Sequence, residues 1–116
     1  MSTVETTWTA FVPVAEERLR EGSPTTRISE QASEEGYSIG LWEATAGRFA
    51  TAPHDGFWEV IHILQGRGTL RSADGSTIDL FPGASFVLGD GFVGEWQIDE
   101  TIRKFYALID GSPAAQ

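Results

Sequence analysis

From residue 37 onward, apolar and polar residues alternate in short segments that glycine-containing breaks separate. Alternation with a period of two is typical of β-strands, whose successive side chains point to opposite faces of a sheet. The segments with this pattern are 37–46, 48–52, 57–64, 69–72, 77–80, 85–88, 93–98 and 102–109. Many short strands at close spacing predict an all-β sandwich or barrel.

The breaks between these segments, at 46–47, 53–56, 65–68, 73–76, 82–83 and 89–91, have the composition of turns. Asp74-Gly75 is the strongest of them, because the two-residue turns of β-hairpins need positive φ angles that aspartate, asparagine and glycine tolerate. We therefore expect a hairpin between segments 69–72 and 77–80.

One segment before residue 25 has a helical signature instead. Pro13 begins it, acidic residues follow, basic residues come late and Gly22 could end it, an order that suits the helix dipole and the usual caps. Residues 13–22 therefore predict a short N-terminal helix of one or two turns, which Ser23-Pro24 would stop.

The 57–64 segment is apolar on both of its predicted faces. Phe57, Glu59, Ile61 and Ile63 share one face, and Trp58, Val60, His62 and Leu64 share the other. Since large exposed apolar patches are rare on monomers, we expect a second copy to cover the outer face in a homodimer. The same alternation places His62 on the face opposite Glu59.

The bulk composition narrows the functional classes. A chain of 116 residues suits one domain,. Its net charge of −9 argues against nucleic acid and against anionic membrane surfaces as partners. It has no cysteine, which excludes disulfides and thiolate chemistry. It also lacks an apolar run of the roughly 18–20 residues that span a membrane and a signal-like N-terminus, so we expect a cytoplasmic protein.

Two short motifs resemble those of the cupin superfamily. In the first family motif, a His-x-His pair precedes a glutamate, and a glycine follows after six intervening residues. Here Glu59 and Gly66 have this spacing and His54 matches the second histidine, whereas Ala52 takes the place of the first. In the second motif, residues 89–91 occupy the Pro-x-Gly place and Gly94 stands where a histidine would be.

The resemblance extends to one type of cupin domain. Segments 21–24, 40–49, 62–67, 91–96 and 103–106 resemble the ureidoglycine aminohydrolase-type domain over roughly residues 21–109. The plant ureidoglycine aminohydrolase has two such domains in tandem, whereas this chain has one. The resemblance implies an RmlC-like jelly-roll barrel, or double-stranded β-helix. We expect an N-terminal arm at 1–20, the cupin domain at 21–112 and a C-terminal tail at 113–116.

Glu59 and Lys104 are the candidate catalytic pair. Glu59 interrupts an otherwise apolar face, and a buried carboxylate must be paired, hydrogen-bonded or protonated. Lys104 is the candidate partner, and the two could act as acid and base with pKa values altered by burial. The alternative is an ion pair with a structural role only.

His54 and Glu59 are also the surviving metal-ligand positions. Imidazole and carboxylate suit Mn, Fe, Ni or Zn, but a protein metal site usually has at least three protein ligands. No cofactor is therefore expected, and a divalent metal at His54 and Glu59 is the less favoured alternative. The expected lining of the ligand pocket is Trp42, His54, Phe86, Trp96 and Tyr106, although the tryptophans could equally be core.

Three functions fit these residues. The first is a small-molecule pocket protein, which as an enzyme would act on a small nitrogen-containing or carboxylated metabolite, as the resemblance implies. The second is a non-catalytic domain that binds or senses such a metabolite. The third is a degenerate cupin whose barrel is filled by Trp96 and Phe86 and which acts through its dimer surface.

Overall fold

The computed structural model describes residues 6–111 of the chain, and all the regular secondary structure in this range is β. The strands are β1 (Val12–Pro13), β2 (Leu19–Glu21), β3 (Thr25–Glu34), β4 (Tyr37–Ala44), β5 (Gly47–Ala50), β6 (Phe57–Ser72), β7 (Thr77–Leu80), β8 (Ser85–Leu88) and β9 (Gly94–Asp110). The all-β prediction is therefore confirmed. No helix in the described range is long and apolar enough to cross a membrane.

Two long strands form the middle of the fold. β6 has 16 residues and β9 has 17, and they pair antiparallel along most of their length. The other edge of β9 pairs with β4 and β5, and the other edge of β6 pairs with β8 and β7. β3 and β1 extend the sheet beyond β4, and β2 extends it beyond β5. All these pairings are antiparallel, and the resulting sheet curls around its buried face.

The buried face follows the predicted alternation. On β6, Ile61 and Ile63 are fully buried whereas Trp58 and Leu64 are exposed. On β9, the even-numbered positions from 94 to 98 and from 102 to 106 are buried. The aliphatic and aromatic side chains on this face form one core with residues of β4, β5, β7 and β8.

The predicted helix at 13–22 is wrong. This segment forms parts of two strands, β1 and β2, joined by one turn in which the amides of Arg18 and Leu19 donate to the carbonyl of Ala15. A single helical turn is costly to nucleate, whereas β3 and β5 each offer a free edge with which this segment pairs. Sheet pairing therefore prevails over the local helical signals.

Two predicted breaks do not interrupt the strands. Segments 57–64 and 69–72 are one strand, β6, and segments 93–98 and 102–109 are one strand, β9. The register between them shifts around residues 63–68, so the predicted turn at 65–68 is a bulged stretch of strand. Gly66 has a φ angle of 101°, and a Cβ there would collide with the carbonyl oxygen of Thr101.

β3 is the strand that the sequence pattern missed. Its sequence is polar over most of its ten residues, and only Ser29 is fully buried. The predicted tail at 113–116 and the N-terminal residues used for the signal-peptide argument lie outside the described residues. The predicted domain boundaries stay a prediction.

Candidate functional site

The two central strands bring Glu59 and Lys104 together on the buried face of the sheet. Glu59 lies on β6 and Lys104 on the neighbouring strand β9. Both side chains are almost completely buried, with 4% and 5% of their residue surface exposed. The Nζ atom of Lys104 lies 2.7 Å from Oε2 of Glu59, to which it donates a hydrogen bond.

His54 completes this group from the connection between β5 and β6. Its Nε2 atom lies 2.7 Å from Oε1 of Glu59, so the two carboxylate oxygens have different partners. Its Nδ1 atom lies 2.9 Å from the carbonyl oxygen of Ala52. The rings of Phe57 and Phe92 pack against the imidazole at 5.1 and 5.9 Å between centroids. We call His54, Glu59 and Lys104 the buried triad.

Two tryptophans surround the ammonium end of the triad. Lys104 Nζ lies 4.3 Å from the ring centroid of Trp42 and 4.7 Å from that of Trp96. The two indoles pack against each other at 5.4 Å. Their faces attract a cation, and their bulk keeps water away from the Lys104–Glu59 contact.

Burial and pairing move the pKa values of the triad in different ways. Burial lowers the pKa of Lys104 from its ordinary value of 10.5, and the Glu59 carboxylate only partly opposes this effect,. Burial alone would raise the pKa of Glu59, but the charge of Lys104 and the hydrogen bond from His54 outweigh it and lower that pKa below 4.5. Two ionisable groups with displaced pKa values in a cavity are a frequent mark of a functional site.

The triad lines a cavity of about 220 Å³. The apolar part of its wall comes from β3, β4, β6, β9 and the segment before β6, and consists of Ile28, Trp42, Ala52, Pro53, Phe57 and Leu108. Tyr106 adds a phenol, whose pKa burial raises although a hydrogen bond with Ser38 opposes this. The site is thus an apolar cavity with a few convergent polar groups, the usual composition of a small-molecule site.

A smaller recess of about 70 Å³ adjoins this cavity and shares the triad, Trp42 and Ala52 with it. Arg18 and Trp96 complete its lining. Arg18 is held there by a hydrogen bond of 3.1 Å from its Nε atom to the carbonyl oxygen of Ala50. Arg18 was not predicted from the sequence, because its position depends on the pairing of β2 with β5, which no local sequence pattern indicates.

Of the predicted pocket residues, some line the cavity or the adjoining recess and one packs against the core. Trp42, His54 and Tyr106 line the larger cavity, and Trp96 lines the recess. Phe86 packs against the core cluster and is in the lining of neither. His62 lies on the outer face as predicted, where its Nδ1 atom is 2.6 Å from Ser85 Oγ.

Gly40 makes room for Tyr106. A Cβ at Gly40 would lie 2.7 Å from the Tyr106 hydroxyl, closer than real Cβ contacts come. The two residues face each other across β4 and β9. Glycine at this position therefore lets the phenol lie over the backbone of β4, at the wall of the cavity.

The triad does not fit a divalent metal. Within residues 6–111, no group of three or more His, Cys, Asp or Glu side chains could hold a metal ion. Both oxygens of Glu59 already bind protein groups. A Cβ at Gly94, the place of the second-motif histidine, would lie 2.8 Å from the Phe92 ring.

A larger open groove of about 370 Å³ lies beside the 73–76 turn. Its charged lining includes Arg20 and Glu95, which pair with each other at 3.1 Å and are both exposed to solvent. It has no buried ionisable group, so the triad cavity is the better candidate site.

Comparisons with known proteins agree with the curled all-β sheet. A family model described as an EutQ-like cupin domain matches residues 31–106. The EutQ protein of Clostridium difficile has a similar structure, with a TM-score of 0.68 at 16% sequence identity, over 96% of this chain and 99% of that one.

Ectoine synthase from P. lautus is similar with a TM-score of 0.67 at 15% identity, over 73% of this chain. A protein of unknown function from Pseudomonas syringae pv. tomato gives a TM-score of 0.68 at 23% identity, over 86% of this chain. The chain spans only 64% and 44% of the lengths of these two proteins. At these identities the likeness concerns the fold alone. No curated protein matches in sequence.

Proposed function

The chain belongs to the family of EutQ-like cupin domains, and from this premise we propose that its cavity binds a small metabolite and transfers protons to and from it. The observation that carries the proposal is the Glu59 carboxylate, buried at the cavity wall with His54 on one oxygen and Lys104 on the other. A charged group buried in this way is costly, and its position at a cavity gives it access to a ligand.

The cavity limits the size and character of the ligand. Its volume of about 220 Å³ corresponds to about seven water molecules at roughly 30 Å³ each, so the ligand is small. Most of the wall is apolar, which favours a molecule with a short apolar body. The Arg18 guanidinium in the adjoining recess is a suitable partner for a carboxylate. We therefore propose a small carboxylated metabolite.

Proton transfer at this site would use the two oxygens of Glu59 differently. Oε2 receives a proton from Lys104 or returns it, along a hydrogen bond of 2.7 Å. Oε1 is linked in the same way to His54 Nε2, which can resupply or remove the proton. The Ala52 carbonyl fixes the imidazole from its other side, as orienting groups do for catalytic histidines.

A second candidate function is binding without catalysis. Within the described residues, no buried side-chain nitrogen or oxygen atom lacks a hydrogen-bond partner. The triad is therefore satisfied without a ligand, which also suits a structural ion pair beneath a binding cavity. The open volume beside the triad favours either kind of pocket over a filled barrel that acts through its surface alone.

A ligand screen tests the proposal and separates the two candidates. Small carboxylates, amides and ureas are added to the wild-type protein, Tm is measured, and each compound that raises Tm is incubated and its conversion followed. Glu59→Gln should retain binding and lose turnover, while His62→Gln, which changes the histidine on the outer face, should retain both. Binding without turnover in the wild type would favour the second candidate, and no binding at all would contradict a ligand pocket.

A further inference from the structure

Lys104 is the only lysine of the chain. The sequence has eight Lys and Arg residues in all, and every other one is arginine. No arginine is buried, whereas Lys104 is 5% exposed. Arginine stays protonated at any accessible pH, whereas the pKa of a buried lysine shifts readily and its amine can become a nucleophile. Among the lysine and arginine side chains, the one that is buried is thus also the one that can lose its proton.

Hydrogen bonds of His54 fix the charge next to this amine. The Ala52 carbonyl oxygen has no hydrogen, so the Nδ1 atom of His54, 2.9 Å away, must donate,. The contact of 2.7 Å between His54 Nε2 and Glu59 Oε1 then requires one further proton, on either atom. In both arrangements His54 and Glu59 together have a net charge of zero.

A protonated Lys104 would therefore give the buried triad a net positive charge. The other titratable groups facing it within residues 6–111 are Arg18 in the recess and Tyr106 in the cavity, and neither is negative at neutral pH. Glu43, the next buried carboxylate, pairs with Arg27 and Arg103. The indoles of Trp42 and Trp96 favour the ammonium,, but burial has the larger effect and lowers the pKa of Lys104.

We propose that Lys104 is a nucleophile that forms an imine with a small aldehyde or 2-oxo acid bound in the cavity. Lysine desolvated in an apolar pocket is an established type of activated nucleophile. Nζ lies at the wall shared by the cavity and the recess. A 2-oxo acid could therefore place its carbonyl carbon at Lys104 and its carboxylate at Arg18. This inference rests on the proposed ligand cavity and specifies its chemistry.

The triad supplies the proton transfers that imine formation needs. The neutral amine of Lys104 is hydrogen-bonded to Glu59 Oε2, which lies in position to accept a proton from the nitrogen once it has reacted. The free amine attacks the carbonyl carbon, a C–N bond forms, and the carbonyl oxygen takes up a proton to give a carbinolamine. The nitrogen then loses a proton to the triad, the hydroxyl group receives one and leaves as water, the C=N bond forms, and the nitrogen returns its last proton to the triad. The sum is amine plus carbonyl giving imine plus one water, with no oxidant or reductant.

Reductive trapping tests this reaction on the full chain. The folded protein is incubated near pH 7 with pyruvate or with propanal in the presence of cyanoborohydride, which reduces an imine to a stable secondary amine. The adduct is located by mass spectrometry of chymotryptic peptides. Because Lys104 is the only lysine, the other amine that can react is the N-terminal one, which lies on a separate peptide and serves as an internal reference.

We expect reductive trapping of Lys104 to be faster in the folded protein than in urea. The rate should increase about tenfold for each unit by which the folded state lowers the pKa of Lys104. Glu59→Gln should slow trapping at Lys104 and leave the N-terminal reaction unchanged, and His62→Gln should change neither. Lys104 modified only in urea, or at equal rates in both states, would overturn the inference. If carboxylates raise Tm but no adduct forms, the proposed ligand cavity is supported and the proposed imine formation is contradicted.

Discussion

Lys104 Nζ and Glu59 Oε2 lie 2.7 Å apart, and this contact joins the two central strands β9 and β6 across the buried face of the sheet. Each partner has 6% of its side-chain surface exposed, and His54 holds the remaining carboxylate oxygen. The contact therefore has two consequences that can be measured separately, one for stability and one for the protonation of the amine.

Removing one partner of this contact should destabilise the fold strongly. In Lys104→Met, the buried Oε2 of Glu59 loses its hydrogen-bond donor, and we expect the free energy of unfolding to fall by about 2 kcal/mol. The double variant Lys104→Met with Glu59→Gln should lose less than the sum of the two single losses, because both single losses include the same hydrogen bond. Urea unfolding of the four proteins measures this coupling.

The exposed pair of Arg20 and Glu95 provides the control. Their contact is 3.1 Å, but the side chains are 40% and 31% exposed. Arg20→Met should change the free energy of unfolding by no more than about 1 kcal/mol. Additive losses at Lys104 and Glu59 would contradict a buried, coupled contact.

The pKa of Lys104 should lie below the ordinary value of 10.5, because burial disfavours its charged form,. Since the chain has one lysine, selective ¹³Cε-lysine labelling gives a single side-chain NMR signal, and its titration reports this group alone. A midpoint above 10.5 would show that pairing with Glu59 outweighs burial.

The same shift makes stability depend on pH in a defined direction. Between the pKa of the folded state and 10.5, the unfolded chain binds more protons at Lys104 than the folded protein does. The contribution of Lys104 to the free energy of unfolding should therefore rise with pH in this window and be lost as pH falls through the folded pKa. The difference between wild type and Lys104→Met across this pH range isolates it.

Metal content should be well below one ion per chain. His54 and Glu59 are the surviving ligand positions, and the carboxylate is already bound by Lys104, so too few free ligands remain for a stable site. Mass spectrometry of protein purified without chelator or metal-affinity tag measures Mn, Fe, Ni and Zn. A near-stoichiometric metal that is lost in His54→Ala would reverse this conclusion.

Gly40→Ala should displace Tyr106 and destabilise the protein by about 1–3 kcal/mol, the usual cost of overpacking. The added Cβ would lie 2.5 Å from the backbone oxygen of Ser29 and 2.7 Å from the Tyr106 hydroxyl. Gly89→Ala is the matched control, because its Cβ would meet the Trp58 ring at an ordinary 3.5 Å. Thermal unfolding of both variants measures the difference, and equal effects would mean that neither the Ser29 backbone nor Tyr106 is held against Gly40.

We propose that two copies of the chain pair through the outer face of β6 and its neighbours. Trp58, Val87 and Ile109 are 47%, 52% and 44% exposed, and the strand pairings put Val87 opposite Val60 and Ile109 opposite Trp58. This apolar patch spans three adjacent strands, and a two-fold axis would let it cover the same patch on a second copy.

Sedimentation of the wild type should therefore show a dimer, and Val87→Glu should shift it to the monomer without loss of folding. Thr77→Glu, at an exposed position of β7 away from this patch, should remain dimeric. A monomeric wild type, or a Val87→Glu protein that stays dimeric, would exclude this interface.

The strand pattern and the two motifs predicted much of the fold. Alternation in 57–64 assigned Glu59 and Ile61 to one face and Trp58 to the opposite one, and in the structure the first face is buried and Trp58 is exposed. The resemblance to the cupin superfamily is confirmed by the family match over residues 31–106, whereas its narrower form, a ureidoglycine aminohydrolase-type domain, is not confirmed. The helix at 13–22 was wrong because caps and charges are weak local signals that two free sheet edges override.

The sequence by itself determined which residues of each predicted strand share a face, because the side-chain period of a strand is fixed by its backbone geometry. It also supplied Glu59 and Lys104 as a candidate pair. Only the tertiary structure decided that His54 meets the second oxygen of that carboxylate and that Arg18 lines the adjoining recess. These contacts join residues from separate strands and connections, so they depend on sheet register and curvature, which are set by long-range pairing rather than by any local pattern.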